Sequence, residues 1–279
     1  MTTQYTTLNE AGLLKVTGAD AKKFLQGQLT CDVEQAHITP QMGAHCQPQG
    51  RVLSLFYLFY HESDYYLLMK RAMIQIALAA LKKYAIFYKV DLVDVSTDFA
   101  YCTCDGASPS LTEGVVIPIK NQRNTLIFNK LPEKIKEALL ALPVADEKSR
   151  DILEGIPQLY PEISGAFLPH ELNLVALNGV NFHKGCFTGQ EIIARMEYRG
   201  KLKSQLYSAY LETGTQPDLG SNVYANESNV SREVGRIVNV SLCEKGCYVL
   251  MVVDKSHARN DHLYLENQTD TFLNILEQQ

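Results

Sequence analysis

The sequence predicts an α+β protein with a mixed core followed by a small antiparallel β barrel. Three observations carry this. Up to residue 200, runs of helical period alternate with short strand-like runs, the pattern of a layered core. Beyond Gly200 no helical period returns, and short strands are separated by Gly, Asn and Asp, as in a barrel. The composition, 46% hydrophobic and 20% charged over 279 residues, is that of an ordinary globular chain. The expected division is a core over residues 1–200, with a second subdomain at roughly 97–145 interlocked with the first, and a barrel over 201–279.

Taken in order, Leu13–Val16 reads as a strand, Gly18-Ala19-Asp20 as a turn, and Ala21–Gln28 as a helix with Phe24 and Leu25 inward. Gly43–Gln47 and Arg51–Tyr60 are strands parted by the turn signal Pro48-Gln49-Gly50. The apolar run Val52–Tyr60 is about half of what a membrane span needs, so it reads as a buried strand. Asp64–Met69 pairs back on it. Ala72–Tyr84 is an amphipathic helix, and Lys89–Val95, Phe99–Asp105, Gly114–Ile119 and Thr125–Asn129 are strands. Lys134–Leu142 is a helix stopped by Pro143, and Arg150–Pro157 holds a shorter one. Tyr160–Asn173, with Pro161, Gly165 and Pro169, is irregular, as loops that line pockets are. The barrel strands are Lys203–Leu211, Ser221–Tyr224, Val234–Leu242, Tyr248–Val253 and Leu263–Leu265.

The stretch with the most chemistry is Lys184-Gly185-Cys186-Phe187-Thr188-Gly189-Gln190-Glu191, running into Ile192-Ile193-Ala194-Arg195. Thr188 and Glu191 have capping-box spacing, so a helix is expected to start there. Cys186 then lies before a helix N-terminus with Lys184 two residues away, and both favour thiolate. Gly185 and Gly189 keep side chains clear on either side. Between 184 and 203 the cations Lys184, Arg195, Arg199, Lys201 and Lys203 face only Glu191 and Glu197. This is a local positive excess in a chain of formal net charge −5.

The octet resembles the signature of the YgfZ-type folate-binding family, with Phe187 where Tyr is usual. That family is related to the glycine-cleavage T-protein, an aminomethyltransferase. The likeness extends through Pro169, Glu171, Asn173, Leu174, Asn178, Gly179, Val180 and Phe182, and on to Arg195 and Gly200. A second stretch, Gly18-Ala19-Asp20-Ala21 through Thr30-Cys31-Asp32-Val33, resembles the superfamily's N-terminal motif. The resemblance implies a T-protein-like architecture: two packed α/β subdomains around a folate site, then the barrel. It implies tetrahydrofolate or a derivative as cofactor, with Gly185, Gly189, Gln190, Glu191, Arg195, Glu171 and Asn173 on the cofactor side. It assigns Cys186 and Lys184 the chemistry. The chain has no Trp, so the tryptophans some relatives set against folate fall to Tyr198, Phe182, Phe187 or Tyr160.

Two functions follow from the resemblance. One is a folate-binding accessory factor for assembly or repair of iron–sulfur enzymes, tRNA-modifying ones included, acting through Cys186. The alternative is a tetrahydrofolate-dependent aminomethyltransferase. The partners expected are folate and iron–sulfur enzymes or assembly proteins, with any tRNA contact indirect, and no membrane. The acidic net charge argues against a general nucleic-acid binder but leaves room for a local basic patch. Seven cysteines without framework spacing, and a polar start (Met1-Thr2-Thr3-Gln4-Tyr5) without a signal core, point to reduced thiols in a cytoplasm. Cys102/Cys104 and Cys243/Cys247 read as strand packing, and no metal-site spacing occurs.

Overall fold

The computed structural model describes residues 5–106, 114–141, 147–227, 230–258, 262–266 and 268–276. Leu142 of the expected third helix and the chain's first four residues lie outside them. The chain divides into two compact units. The first comprises Met1–Cys46, Leu53–Ala145 and Asn178–Thr188; the second comprises Gln47–Val52, Asp146–Leu177 and Gly189–Gln279.

The first unit holds two sheets. Strands β1 (Tyr5–Thr7), β2 (Ala11–Thr17), β3 (Gln41–Cys46), β4 (Val52–His61), β5 (Asp64–Lys70), β6 (Asp91–Asp94), β7 (Ala100–Asp105), β8 (Val115–Pro118) and β9 (Arg123–Phe128) form them. The five-stranded sheet runs β3-β4-β5-β2-β6, and the four-stranded sheet runs β1-β7-β9-β8. Helix α1 (Ala21–Gln28) covers the residues expected. Helix α2 (Ile74–Ala85) starts later than expected because a 3-10 turn, Arg71–Met73, precedes it. Leu13, Phe59, Tyr66 and Leu68 pack against Tyr101, Ile117 and Ile127, joining the two sheets through one apolar layer. Strand alternation turns Cys102 and Cys104 to the opposite face, where Leu126, Phe128 and Ile135 of α3 (Glu133–Ala141) bury them. These two thiols are core side chains, as the strand reading expects.

The second unit is built on a closed barrel of β10 (Ser204–Leu211), β11 (Asn222–Glu227), β12 (Val230–Cys243), β13 (Gly246–Asp254), β14 (Tyr264–Leu265) and β15 (Gln268–Ile275). The order is β10-β13-β12-β11-β14-β15, and β15 pairs back on β10. Ala209, Leu211, Val223, Ala225, Val249, Met251 and Val253 fill the interior. A register shift between Ile237 and Asn239 interrupts the β12 ladder. There Asn239 accepts the Gln158 N–H (2.8 Å) and donates to the Gln158 carbonyl (2.7 Å). Ser208 donates to the carbonyl of Ile152 at 2.6 Å. These bonds tie α4 (Glu147–Leu153) and the chain after it to the barrel wall. From Leu153 to α5 (Gln190–Arg199) the only regular piece among the described residues is a 3-10 turn at Pro161–Ile163. Buried Ile156, Leu159, Ile163, Phe167, Leu172 and Leu174 hold this irregular course in place. No helix among the described residues is long and apolar enough to cross a membrane.

Candidate functional site

The cysteine-bearing segment belongs to the first unit, and its anchors come from the end of α1. Thr30 donates its hydroxyl to the Gly179 carbonyl (2.6 Å), accepts the Ala44 N–H (2.8 Å), and takes the Asn181 N–H on its own carbonyl (2.9 Å). The Asn181 side chain caps the next turn by accepting the N–H groups of His183 (2.8 Å) and Lys184 (3.1 Å). Lys184 then reaches back, its ammonium donating to the carbonyls of Leu29 and Cys31, each at 2.7 Å. Its Nζ also lies 5.3 Å from the centre of the Phe187 ring. Thr188 donates its N–H to the Gly27 carbonyl at 3.1 Å and its hydroxyl to Gln28 at 3.2 Å. The two motif stretches, some 150 residues apart in sequence, are thus one structure. Residues 27–31 are the frame, and 179–188 is the loop laced onto it.

Cys186 lies at the free stretch of that loop, between the anchors Lys184 and Phe187. It is exposed, whereas Cys31, Cys46, Cys102, Cys104 and Cys247 are buried, Cys243 is half-buried, and all seven are free. Phe187 is buried, so it is part of the anchor and not a platform for a ligand. Burial lowers the Lys184 amine to about 8, with Cys31 and Asp32 pulling the other way. Burial likewise pushes the Cys31 thiol up to about 12, opposed by Lys184. The ammonium expected to serve Cys186 is therefore committed to the backbone beside Cys31.

Helix α5 belongs to the second unit and corrects the expected cap. The helix begins at Gln190, its N-cap is Gly189 at φ 85°, and no side chain caps it. Thr188 is already bound to Gly27 and Gln28, so its hydroxyl is not the cap. Glu191 instead pairs with Arg195 one turn on, at 2.9 Å, with both side chains exposed. The glycine assignments divide. A Cβ on Gly189 would lie 2.6 Å from the Gln47 carbonyl and 3.1 Å from Gly50 Cα, while one on Gly185 would meet nothing within 4 Å. Only Gly189 is required for space. Gly50, at φ 78°, lets the Gln47–Arg51 turn pass close to Ile192 and Ile193.

Glu171 and Asn173 sit in the irregular run before the octet. Glu171 accepts the Leu168 N–H at 2.8 Å. Asn173 holds φ 59°, a left-handed position that Asn tolerates. Glu171 also lines a cleft of about 800 Å³ in the second unit, with Arg51, Arg232, Arg236, Glu233 and Asp254. The acids there are internally bonded: Glu233 to the Asn222 amide and Asp254 to Ser256. Arg51 donates to the Ala166 carbonyl, and Arg236 donates through Nε to Asn222 at 3.3 Å. The cleft thus sets three guanidinium groups against three carboxylates. Sequence reasoning missed these arginines because they come from a turn and a barrel strand far from the octet. It also missed the contact of buried His170 with Glu197 at 3.2 Å. Burial lowers the His170 pKa, with Glu197 opposing. Of the other aromatic candidates, Tyr198 is exposed, and Phe182 and Tyr160 are half-buried. Among the described residues no group of three or more His, Cys, Asp or Glu is placed to hold a metal.

Comparison with known proteins bears on this arrangement. No family model matches the chain. The tRNA-modifying protein YgfZ of Vibrio atlanticus (strain LGP32) is 31% identical, covering 97% of this chain and 90% of the relative. The protein of that name from Aliivibrio fischeri (strain MJ11) is 33% identical, covering 88% of this chain and 83% of its own. Among solved structures, the glycine cleavage system aminomethyltransferase T from Bartonella henselae superposes with a TM-score of 0.72, covering 99% of this chain and 85% of that one. At 13% identity the likeness speaks to the fold alone. The core is thus T-protein-like with a closed C-terminal barrel, and at this identity and coverage the chain belongs to the YgfZ family.

Proposed function

We propose that this chain is a cytoplasmic folate-binding accessory protein that supports assembly or repair of iron–sulfur enzymes, including those that modify tRNA, and that Cys186 is its working group. The observation that carries the reading is the Cys186 loop. A single exposed thiol is held on a segment whose flanks, Lys184 and Thr188, are bonded to the frame at 27–31. A loop evolved only for packing has no need to present its cysteine to solvent. The relatives' name, tRNA-modifying protein, supports the tRNA side of the reading. The aminomethyltransferase-like fold supports the folate side.

A reduced folate, when bound, supplies one-carbon chemistry. The chain's own part is to hold and orient it, and we assign that to Glu171, Asn173, Gln190, Glu191 and Arg195, with Gly185 and Gly189 shaping the approach. The Glu171 carboxylate would take the donor edge of the pterin, and the Arg195 fork would take tail carboxylates in exchange for its exposed pair with Glu191. Lys184 acts by fixing the loop. The second reading, an aminomethyltransferase, is favoured by the fold likeness.

The test has two arms. Added tetrahydrofolate is expected to raise the melting temperature through binding to the native state, and no shift at millimolar ligand overturns the folate assignment. Cys186→Ser is expected to keep the fold and folate binding but fail to restore iron–sulfur enzyme activity in a deletion strain, and full complementation overturns the role of the thiol. Turnover of an aminomethyl-lipoyl carrier protein with tetrahydrofolate would establish the second reading instead.

A further inference from the structure

The end of α2 carries a surface that neither the cysteine loop nor the fold explains. Ile86 and Phe87, adjacent in sequence, are each 77% exposed. The chain around them is not loose: Tyr88, the next residue, packs on Phe24 of α1 with ring centres 5.4 Å apart. Lys82, Lys83 and Lys89 flank the two apolar side chains and are exposed. The start of α1 lies against the same spot. The Asp20 carboxylate accepts the Lys89 N–H at 2.8 Å, and the Asp20 N–H donates to the Lys89 carbonyl at 3.3 Å. Exposed Lys23 follows one turn after Asp20 on α1. Lys22 beside it is paired with Glu34 at 2.8 Å. The side chains of Lys23, Lys82, Lys83 and Lys89 form no ion pair among the described residues. Placing lysines in the last turn suits the helix dipole, but that does not account for Lys23, Lys89 or the exposed Phe87.

We propose that this tip, Lys82–Lys89 with Lys23, docks unpaired RNA, with a base stacked on Phe87 and phosphates held by the lysines. Charge complementarity selects the partner. Three exposed lysines within five residues of one bare aromatic ring, with Lys23 one turn beyond the Asp20–Lys89 contact, in a chain of net charge −5, match a polyanion with planar faces. A protein partner fits less well, because Lys is depleted from protein–protein interfaces. A membrane surface fits less well too, since two apolar side chains give far less insertable area than an amphipathic helix does. Neither Cys186 nor the folate residues take part, so this inference stands or falls separately from the function proposed above.

The experiment is fluorescence anisotropy of the full chain with a labelled unstructured oligouridine, a base-paired RNA hairpin and a tRNA transcript, across a salt series. The expected result is binding to oligouridine and tRNA above hairpin, weakening steeply with salt. Lys82→Ala and Lys83→Ala are each expected to lower the salt slope by about one. Phe87→Ala is expected to weaken binding about fivefold or more, while Phe87→Tyr retains it. All of these side chains are exposed, and unchanged melting and unchanged Cys186 alkylation would confirm an intact fold. No binding at low salt overturns the proposal, as does equal affinity of the Phe87→Ala and lysine variants with wild type. Phe87-dependent capture by phosphatidylserine vesicles without RNA binding overturns it in favour of a membrane.

Discussion

At the scale of single residues the loop rests on Lys184. Its ammonium supplies the donor for two inward carbonyls. Lys184→Met is expected to cost about 1–3 kcal/mol, read from urea unfolding. The linkage sign follows from burial. Burial brings the folded amine down to about 8 from its ordinary 10.5, so between those values the unfolded chain holds the proton and the folded chain has released it. Wild-type stability therefore rises with pH in that window relative to Lys184→Met, and a narrowing gap would mean the amine is held protonated instead. His45 gives a second test. It is buried with no hydrogen-bond partner for either ring nitrogen among the described residues, and burial lowers it from 6.5 to about 4. As pH falls from 6.5 to 4, the unfolded chain takes up a proton that the folded chain refuses, so stability is lost. His45→Gln is expected to flatten that acid limb in a pH series of thermal melts.

At the scale of elements, α5 shows what a pattern of residues specifies and what it does not. The helix itself was legible from Ile192, Ile193 and Met196, and the special nature of Lys184–Glu191 from its density of Gly, Lys and Cys. The cap was not. Thr188 and Glu191 have capping-box spacing, but Thr188 is held by Gly27 and Gln28, contacts 160 positions away that no local window contains. The same holds for β15. The barrel strands read from the sequence stop at Leu265, and β15 is a strand through its pairing with β10 and β14. Strands β2, β4, β5 and β7 were legible from their apolar runs, because most residues of each are buried. The glycines give a sharp prediction at this scale. Gly189→Ala forces an L-residue to φ 85° against the Gln47 carbonyl and is expected to cost at least about 1–2 kcal/mol. Gly185→Ala is expected to stay within about 0.5 kcal/mol. Arg195→Ala removes an exposed i,i+4 pair and is expected to cost about 0.3–0.5 kcal/mol. If Arg195 steadies a folate tail, the same variant weakens polyglutamylated folate more than the monoglutamate, and equal losses in a titration would return it to a surface role.

At the scale of the whole molecule, stability depends on joins between distant stretches of chain. Asn239 clamps both backbone groups of Gln158 from 81 positions away, so Asn239→Ala removes the partner of a half-buried N–H and C=O. A loss of about 1–3 kcal/mol is expected by chemical denaturation. The first unit is likewise discontinuous: Asn178–Thr188 belongs to it, although residues 146–177 between belong to the second. This has a consequence for synthesis. A nascent chain emerging from the ribosome up to residue 145 carries both sheets of the first unit but not the strip that threads onto Thr30 and Leu29. The carbonyls of Leu29 and Cys31 wait without their lysine until some forty further residues have left the exit tunnel. Cys186 arrives on that final strip, so its thiol is set in place only after the sheets that support its frame have been made.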